Sequence, residues 1–310
     1  MVEASNISVD FAGLGLKNPV FTASGTCGYA DELSDFMDVN RLGGFITKSI
    51  SLRSRQGNAV PRIVETDAGM LNAIGLANIG LEKFIEQKLP LLEKISCAVF
   101  VNVAGETIED YVAVTERLSG EKAVAGFERS LSSPNVRQGG ISFGTDPALV
   151  AQITGAVKKA AGDKVLMVKL SPVVTDISVT ARAAVEAGAD ALSLVNTFTA
   201  MVIDIEAKRP VLANRTGGLS GPAIKPIAVY LVNKVYREVA KDSGIPIMGL
   251  GGIRSASDAV EFMIAGATTV AVGTANFVEP CATVKIVEGI KKYCEKHVIG
   301  EVKELIGSLE

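Results

Sequence analysis

Eight short, nearly continuous apolar runs, each leading toward a stretch of helical character, constrain this chain more than any other feature. The runs fall at 19–22, 44–48, 98–103, 123–128, 165–170, 191–195, 245–249 and 269–272. Helical stretches fall at 30–38, 81–94, 108–118, 147–161, 177–187, 223–241 and 256–265. A strand apolar on both faces belongs in a parallel sheet covered on both sides, which needs crossover helices. Such alternation over 310 residues predicts an α/β fold, a (β/α)8 TIM barrel with insertions. A doubly wound sheet is the alternative, but no GxGxxG follows an early strand. Residues 7–16 alternate weakly around glycine and predict a hairpin plugging the barrel floor. No linker, repeat or low-complexity tract interrupts the pattern, so the chain reads as one domain over 1–310.

Charge and rare residues narrow the chemistry. A net charge of −3 and a pI near 5.5 argue against a nucleic-acid surface. No apolar run reaches membrane-spanning length, and the N-terminus lacks a basic-then-apolar signal pattern. The expectation is a soluble, cytoplasmic protein with no membrane contact. Cys27, Cys97, Cys281 and Cys294 form no CxxC, so neither a metal site nor an iron–sulfur cluster is expected within the chain. Disulfides are not expected in that compartment. The sole histidine, His297, lies in a C-terminal helical stretch and reads as solvated. Chemistry without histidine excludes Ser-His-Asp hydrolysis and most metal-dependent hydrolysis.

Two glycine clusters follow the last two apolar runs: Gly249-Leu250-Gly251-Gly252-Ile253 and Val272-Gly273-Thr274-Ala275. Glycine lets backbone N–H groups approach an anion, and a following helix N-terminus adds partial positive charge. At the end of a barrel this pair predicts a phosphate site. A phosphorylated substrate and a flavin mononucleotide both fit it.

Three connections exceed a minimal barrel, at 49–80, 130–146 and 197–222, all after strand C-termini, where barrel active sites are built. They carry Met70-Leu71-Asn72-Ala73-Ile74-Gly75-Leu76-Ala77-Asn78, Ser132-Ser133-Pro134-Asn135 and Thr216-Gly217-Gly218-Leu219-Ser220-Gly221-Pro222. Lys48, Asn102 and Lys169 stand near the ends of strands two, three and five, and Asn196-Thr197 follow strand six. Asparagine both donates and accepts, so such a set suits a planar ring of alternating N–H and C=O groups, a pyrimidine or a flavin. A lysine beside a flavin N1–C2=O edge favours its anionic reduced form by charge complementarity.

These residues resemble the catalytic subunit of class 1 dihydroorotate dehydrogenases, most closely the class 1B branch. The resemblance runs from the N-terminal hairpin to the C-terminal helices. It rests on Ala23-Ser24-Gly25-Thr26, Lys48, the 72–78 segment, Val101-Asn102-Val103-Ala104-Gly105, Val168-Lys169-Leu170-Ser171-Pro172, Asn196-Thr197 and the 216–226 and 272–277 segments. It implies FMN on the C-terminal face of the barrel and oxidation of dihydroorotate to orotate in pyrimidine synthesis. FMN contacts are implied at Ala23, Ser24, Lys48, Asn102, Lys169, Val195, Gly221, Gly251, Gly252, Gly273 and Thr274. Orotate contacts are implied at Lys48, Asn72, Ile74, Gly75, Leu76, Ser130, Asn135, Asn196 and Thr197. Lys48 and the residue at position 133 carry the catalytic roles.

One segment departs from the branch. Where the class 1B pattern is Glu-Leu-Asn-Ile-Ser-Cys-Pro-Asn, this chain reads Glu128-Arg129-Ser130-Leu131-Ser132-Ser133-Pro134-Asn135. Ser133 replaces the base cysteine, Ser130 a substrate-binding asparagine, and Arg129 an apolar strand residue. Val173 also replaces a usual asparagine. Serine serves as base in the membrane-associated class and in an archaeal soluble branch, so the expected activity is dihydroorotate oxidation with Ser133 as base. Two alternatives stay open: the same chemistry on another dihydropyrimidine, and an FMN-binding variant with impaired catalysis. The chain has no dinucleotide fingerprint, cluster-forming cysteine set or amphipathic N-terminal extension to pass electrons onward. The class 1B resemblance implies a homodimer joined by a partner subunit carrying FAD and a [2Fe–2S] cluster, a heterotetramer that delivers electrons to NAD. A homodimer using a soluble acceptor such as fumarate is the alternative.

Overall fold

The computed structural model describes residues 5–130, 137–138, 141–142 and 144–310. All eight expected strands form and close into a barrel: β1 (Val20–Thr22), β2 (Gly44–Ile46), β3 (Ala98–Val103), β4 (Gly126–Ser130), β5 (Val165–Lys169), β6 (Ala191–Leu194), β7 (Ile247–Leu250) and β8 (Thr269–Val272). Neighbours pair in parallel around the ring, and β8 returns to β1 through Val270↔Val20, Ala271↔Phe21 and Val272↔Thr22. Closure rules out the doubly wound alternative, whose open sheet keeps two edges. Every residue of β1, β2, β5, β6, β7 and β8 is buried, as befits strands between a filled interior and a helical layer. At Gly44 a Cβ would lie 1.9 Å from the Phe21 ring, so glycine is what lets β2 run beside that ring.

The outer layer comprises α1 (Leu81–Gln87), α2 (Leu89–Leu92), α3 (Ile108–Ser119), α4 (Pro147–Ala161), α5 (Ile177–Glu186), α6 (Lys225–Val235), α7 (Lys241–Ser243), α8 (Ala256–Ile264), α9 (Ala275–Val278) and α10 (Ala282–Lys296). Side chains mark the helix starts. Thr107 and Asp110 cap α3 reciprocally, Ser255 and Asp258 do the same for α8, and Asp146 and Asp176 accept first-turn N–H groups of α4 and α5.

Three expected helices come out differently. The 30–38 stretch forms only a 3-10 turn at Asp31–Leu33. There Glu32 accepts from Tyr29 N at 2.8 Å and Ser34 Oγ donates to Asp31 O at 2.7 Å, drawing backbone groups away from a helical ladder. The 81–94 helix divides at Lys88, because Pro90 has no N–H to continue it. The 223–241 helix starts at Lys225 and passes through a π-helical turn, Tyr236–Ala240, before α7.

The N-terminal hairpin pairs Val9–Phe11 with Leu14–Leu16, and its fully buried Phe11 ring sits 6.2 Å from Phe21 and 6.3 Å from Phe100. It thereby seals the barrel interior as the expected plug. No helix among the described residues is long and apolar enough to cross a membrane. His297 is exposed, its ring 4.3 Å from that of Tyr293. All four cysteines are free; burial pushes Cys27 and Cys97 up to about 11 and also raises Cys294, while Cys281 is half-buried.

β4 carries a conflict with its surroundings. Strand alternation sends Glu128 into the barrel and Arg129 toward the helices. Arg129 is fully buried, and its Nη2 donates to Thr154 Oγ1 on α4 at 2.9 Å. Its Nε and Nη1 find no partner among the described residues. Burial pulls the guanidinium below the usual arginine range, with Tyr111 on α3 opposing that shift. A buried donor without an acceptor forfeits its hydration, at roughly 1–3 kcal/mol each. Arg129→Met should therefore stabilise the fold at pH 7 by about 1–3 kcal/mol, read from the urea midpoint; a lower midpoint would contradict this account. A thiol reagent at pH 8 should modify Cys281 rapidly in the native protein and reach Cys27, Cys97 and Cys294 only on unfolding. Fast labelling of two or more thiols would overturn that expectation.

Candidate active site

The C-terminal ends of the strands meet in a buried polar floor. Lys169, the last residue of β5, is 5% exposed; its Nζ donates to Ser24 Oγ at 3.2 Å and lies 3.6 Å from Glu128 Oε1. Glu128 on β4 is fully buried and accepts from Asn102 Nδ2 on β3 at 2.6 Å and from Ser193 Oγ on β6 at 3.0 Å. Asn102 accepts in turn from Ser49 Oγ at 2.5 Å, and its backbone N–H donates to Thr47 Oγ1 at 3.2 Å. The barrel register dictates these meetings: Asn102 stands opposite Glu128, and Lys169 opposite both Ser130 and Ser193. Of this network the sequence reading singled out Ser24, Asn102 and Lys169. It missed Glu128 and Ser193, although a carboxylate at the end of an apolar run was a readable signal.

The two glycine turns meet the third long connection. Gly251 and Gly252 have φ of +133° and +80°, and a Cβ on Gly252 would lie 2.7 Å from Gly221 O. Only glycine takes this backbone in that space. Thr274 Oγ1 donates to Ser220 Oγ at 2.9 Å, and a Cβ on Gly273 would come within 3.3 Å of Ala23 Cβ. Gly221, Gly252, Gly273, Thr274 and Ala23 thus border one cradle. The expected help from helix dipoles changes in kind. The start of α8 is occupied by its own Asp258, which accepts from Arg254 N and Ser255 N, and α9 is a single turn. An anion here relies on backbone N–H groups of the turns themselves.

Two of the long connections are not irregular loops. Residues Ile63–Thr66, Gly69–Asn72, Phe198–Ala200 and Gly217–Ser220 form a four-stranded antiparallel sheet, with Leu71, Ala73 and Leu212 as its own small core. The sheet sets Asn72 opposite Gly218, Nδ2 donating to Gly218 O at 3.4 Å. At Gly218 a Cβ would fall 2.0 Å from Thr197 Oγ1, so a side chain there would displace that hydroxyl. Ile74, Gly75 and Leu76 continue from this sheet, half-buried, with Gly75 and Leu76 at φ of +73° and +58°.

After a cis Leu194–Val195 peptide, buried Val195 donates its N–H to Leu250 O at 3.0 Å. Asn196 Nδ2 then donates to Ser130 Oγ at 3.3 Å and Asn196 Oδ1 accepts from Thr197 N at 2.7 Å. Ser130, Asn196 and Thr197 therefore lie together. Lys48 is half-buried beyond the end of β2, its backbone N–H bound to Gly28 O at 2.8 Å. Ser133 and Asn135 lie outside the described residues.

A buried ammonium, paired amides and a glycine cradle on one barrel face match a planar, phosphate-bearing cofactor with a small polar substrate above it. Comparison with known proteins places the chain in a family. Residues 6–294 match the family model described as dihydroorotate dehydrogenase. Three similar proteins are each named dihydroorotate dehydrogenase B (NAD(+)), catalytic subunit. The one from Geotalea daltonii is 53% identical over 305 residues, covering 98% of both chains. That from Pelobacter propionicus is 52% identical, covering 98% of this chain and 99% of its own. The Geobacter sulfurreducens protein is 50% identical over the whole of both chains. By sequence, with a consistent fold, this chain belongs to the dihydroorotate dehydrogenase family.

Proposed function

We propose that this chain is an FMN-bearing catalytic subunit that oxidises (S)-dihydroorotate to orotate in pyrimidine synthesis. The observation that carries the reading is the buried Lys169 ammonium beside the glycine cradle, in a chain half identical to proteins of that name. The residues fit FMN: Gly221, Gly251, Gly252, Gly273 and Thr274 would take its phosphate end. Ala23, Ser24, Lys48, Asn102, Lys169 and Val195 would take its ring. FMN, when bound, supplies the acceptor for the hydride leaving substrate C6. Lys169 and Lys48 complement negative charge as it develops. Asn72, Ile74, Gly75, Leu76, Ser130, Asn135, Asn196 and Thr197 would hold and orient the pyrimidine.

Ser133 takes the C5 proton. Serine is a weak base without a helper, and the only histidine, His297, is exposed on the outer layer. The relay falls to a hydroxyl such as Thr197 or to an ordered water. The reading treats residues 1–310 as one FMN-binding unit, supported by a hydrophobic core running from Val9 to Leu305. It places the chain in the cytoplasm, as a homodimer joined by an electron-transfer subunit carrying FAD and [2Fe–2S]. The words "NAD(+)" and "catalytic subunit" in the relatives' names support that assembly.

Dihydroorotate should bleach the bound flavin of the isolated chain; an unbleached spectrum would refute the function. Turnover should keep rising into alkaline pH and fall at least a hundredfold in Ser133→Ala, whereas a flat profile or full activity in that variant would dismiss Ser133 as the base. Ser130→Asn restores a two-point amide contact and should tighten orotate about tenfold, roughly 1.4 kcal/mol. Equal affinities in a flavin-monitored titration would remove Ser130 from the orotate site. Reduction of NAD by dihydroorotate should require an added partner subunit, and substantial reduction by the chain alone would exclude it.

A further inference from the structure

We infer that Glu128 sets the reduction potential of the flavin by balancing the charge of Lys169. The inference rests on the FMN reading above and concerns a residue to which the reaction as described gives no task. Glu128 is fully buried. Its Oε1 is 3.6 Å from Lys169 Nζ and accepts from Ser193 Oγ at 3.0 Å; its Oε2 accepts from Asn102 Nδ2 at 2.6 Å. Lys169 and Asn102, both in contact with Glu128, are among the residues of this floor assigned to the flavin ring. Glu128 is therefore a positioning and charge-balancing residue one contact removed from the cofactor.

The sign follows from charge alone. A cation beside the ring favours the anionic reduced flavin, and a carboxylate against that cation weakens its field. Both side chains are at most 6% exposed, so water screens the pair little. Removing the carboxylate charge leaves Lys169 unopposed and should make the flavin easier to reduce. Ser193 acts on the same oxygen as Lys169. Its hydrogen bond draws electron density from Oε1, so deleting it strengthens the hold of Glu128 on Lys169 and should shift the potential the other way. A purely structural role for Glu128 predicts loss of flavin or stability in both variants, with no opposed signs.

The test is a dye-equilibrated redox titration of the FMN-loaded proteins, which needs no substrate. Glu128→Gln should raise the reduced-to-oxidised ratio at fixed potential about tenfold, equivalent to about 30 mV for a two-electron couple. Ser193→Ala should lower it by a smaller factor. Unchanged midpoints in both variants, or shifts of the same sign, overturn the inference. If Glu128→Gln does not retain FMN, Ser193→Ala decides alone: a lowered midpoint supports the inference and an unchanged or raised one refutes it. A wild type that is reduced in the dye titration but not by dihydroorotate would refute the proposed substrate while leaving the shifts readable. A wild type that takes up no FMN sinks both.

Discussion

Placing the Lys169 ammonium inside a closed barrel, almost out of reach of water, costs free energy that must be offset on the spot. The offset is not one partner but a relay of obligations. Lys169 needs Glu128; a buried carboxylate needs donors, which Asn102 and Ser193 provide; Asn102 needs its own partners, which Ser49 and Thr47 provide. Through Ser24 the relay also reaches the segment after β1. Ends of strands spread around the ring are thereby held in one polar layer. A half-satisfied network of this kind would be worse than an apolar one, which ties the register of the barrel to the integrity of the site.

Barrel architecture was legible in the sequence because strands buried on both faces spell continuous apolar runs, and all eight appeared where expected. The glycine turns were legible for a different reason: a positive φ in tight quarters leaves few residue choices, as at Gly252 against Gly221 O. What escaped was whatever depends on meetings across distant sequence. Ser193 and Glu128 are 65 residues apart and meet only because β4, β5 and β6 are in register. The sheet over the barrel mouth pairs residues 146 positions apart, from segments as glycine-rich as Gly217–Ser220, with little strand propensity of their own. Residues 30–38 show the converse failure, a helical pattern undone by Glu32 and Ser34 capturing nearby backbone groups. Individual site assignments came chiefly from resemblance, and two of them, Ser133 and Asn135, lie outside the described residues.

Arg129 and Lys169 show how differently one fold can treat two buried cations. Lys169 faces the barrel interior, where β4 brings it a carboxylate and the segment after β1 a hydroxyl. Arg129, pointing the other way from β4, finds among the described residues one threonine hydroxyl in a layer largely of aliphatic packing. Tyr111 sits beside that cation and reaches past it to donate to Ser130 O at 3.2 Å, so α3 also fixes the end of β4.

The mouth sheet has a consequence for how this protein can vary. Its central pair joins Gly69–Asn72 to Gly217–Ser220, one strand from each of two insertions that are separate in the chain. Side chains on a strand alternate with a period of two. Adding or deleting one residue within either pairing segment would turn Asn72 to the opposite face or move Thr197 away from Gly218. The two insertions are thus length-locked to each other, as a key is to its lock. Change should accumulate freely in the largely exposed Ile203–Asp204 and Arg209–Pro210 ribbon within the second insertion, and a length change in one paired strand should survive only with a matching change in the other.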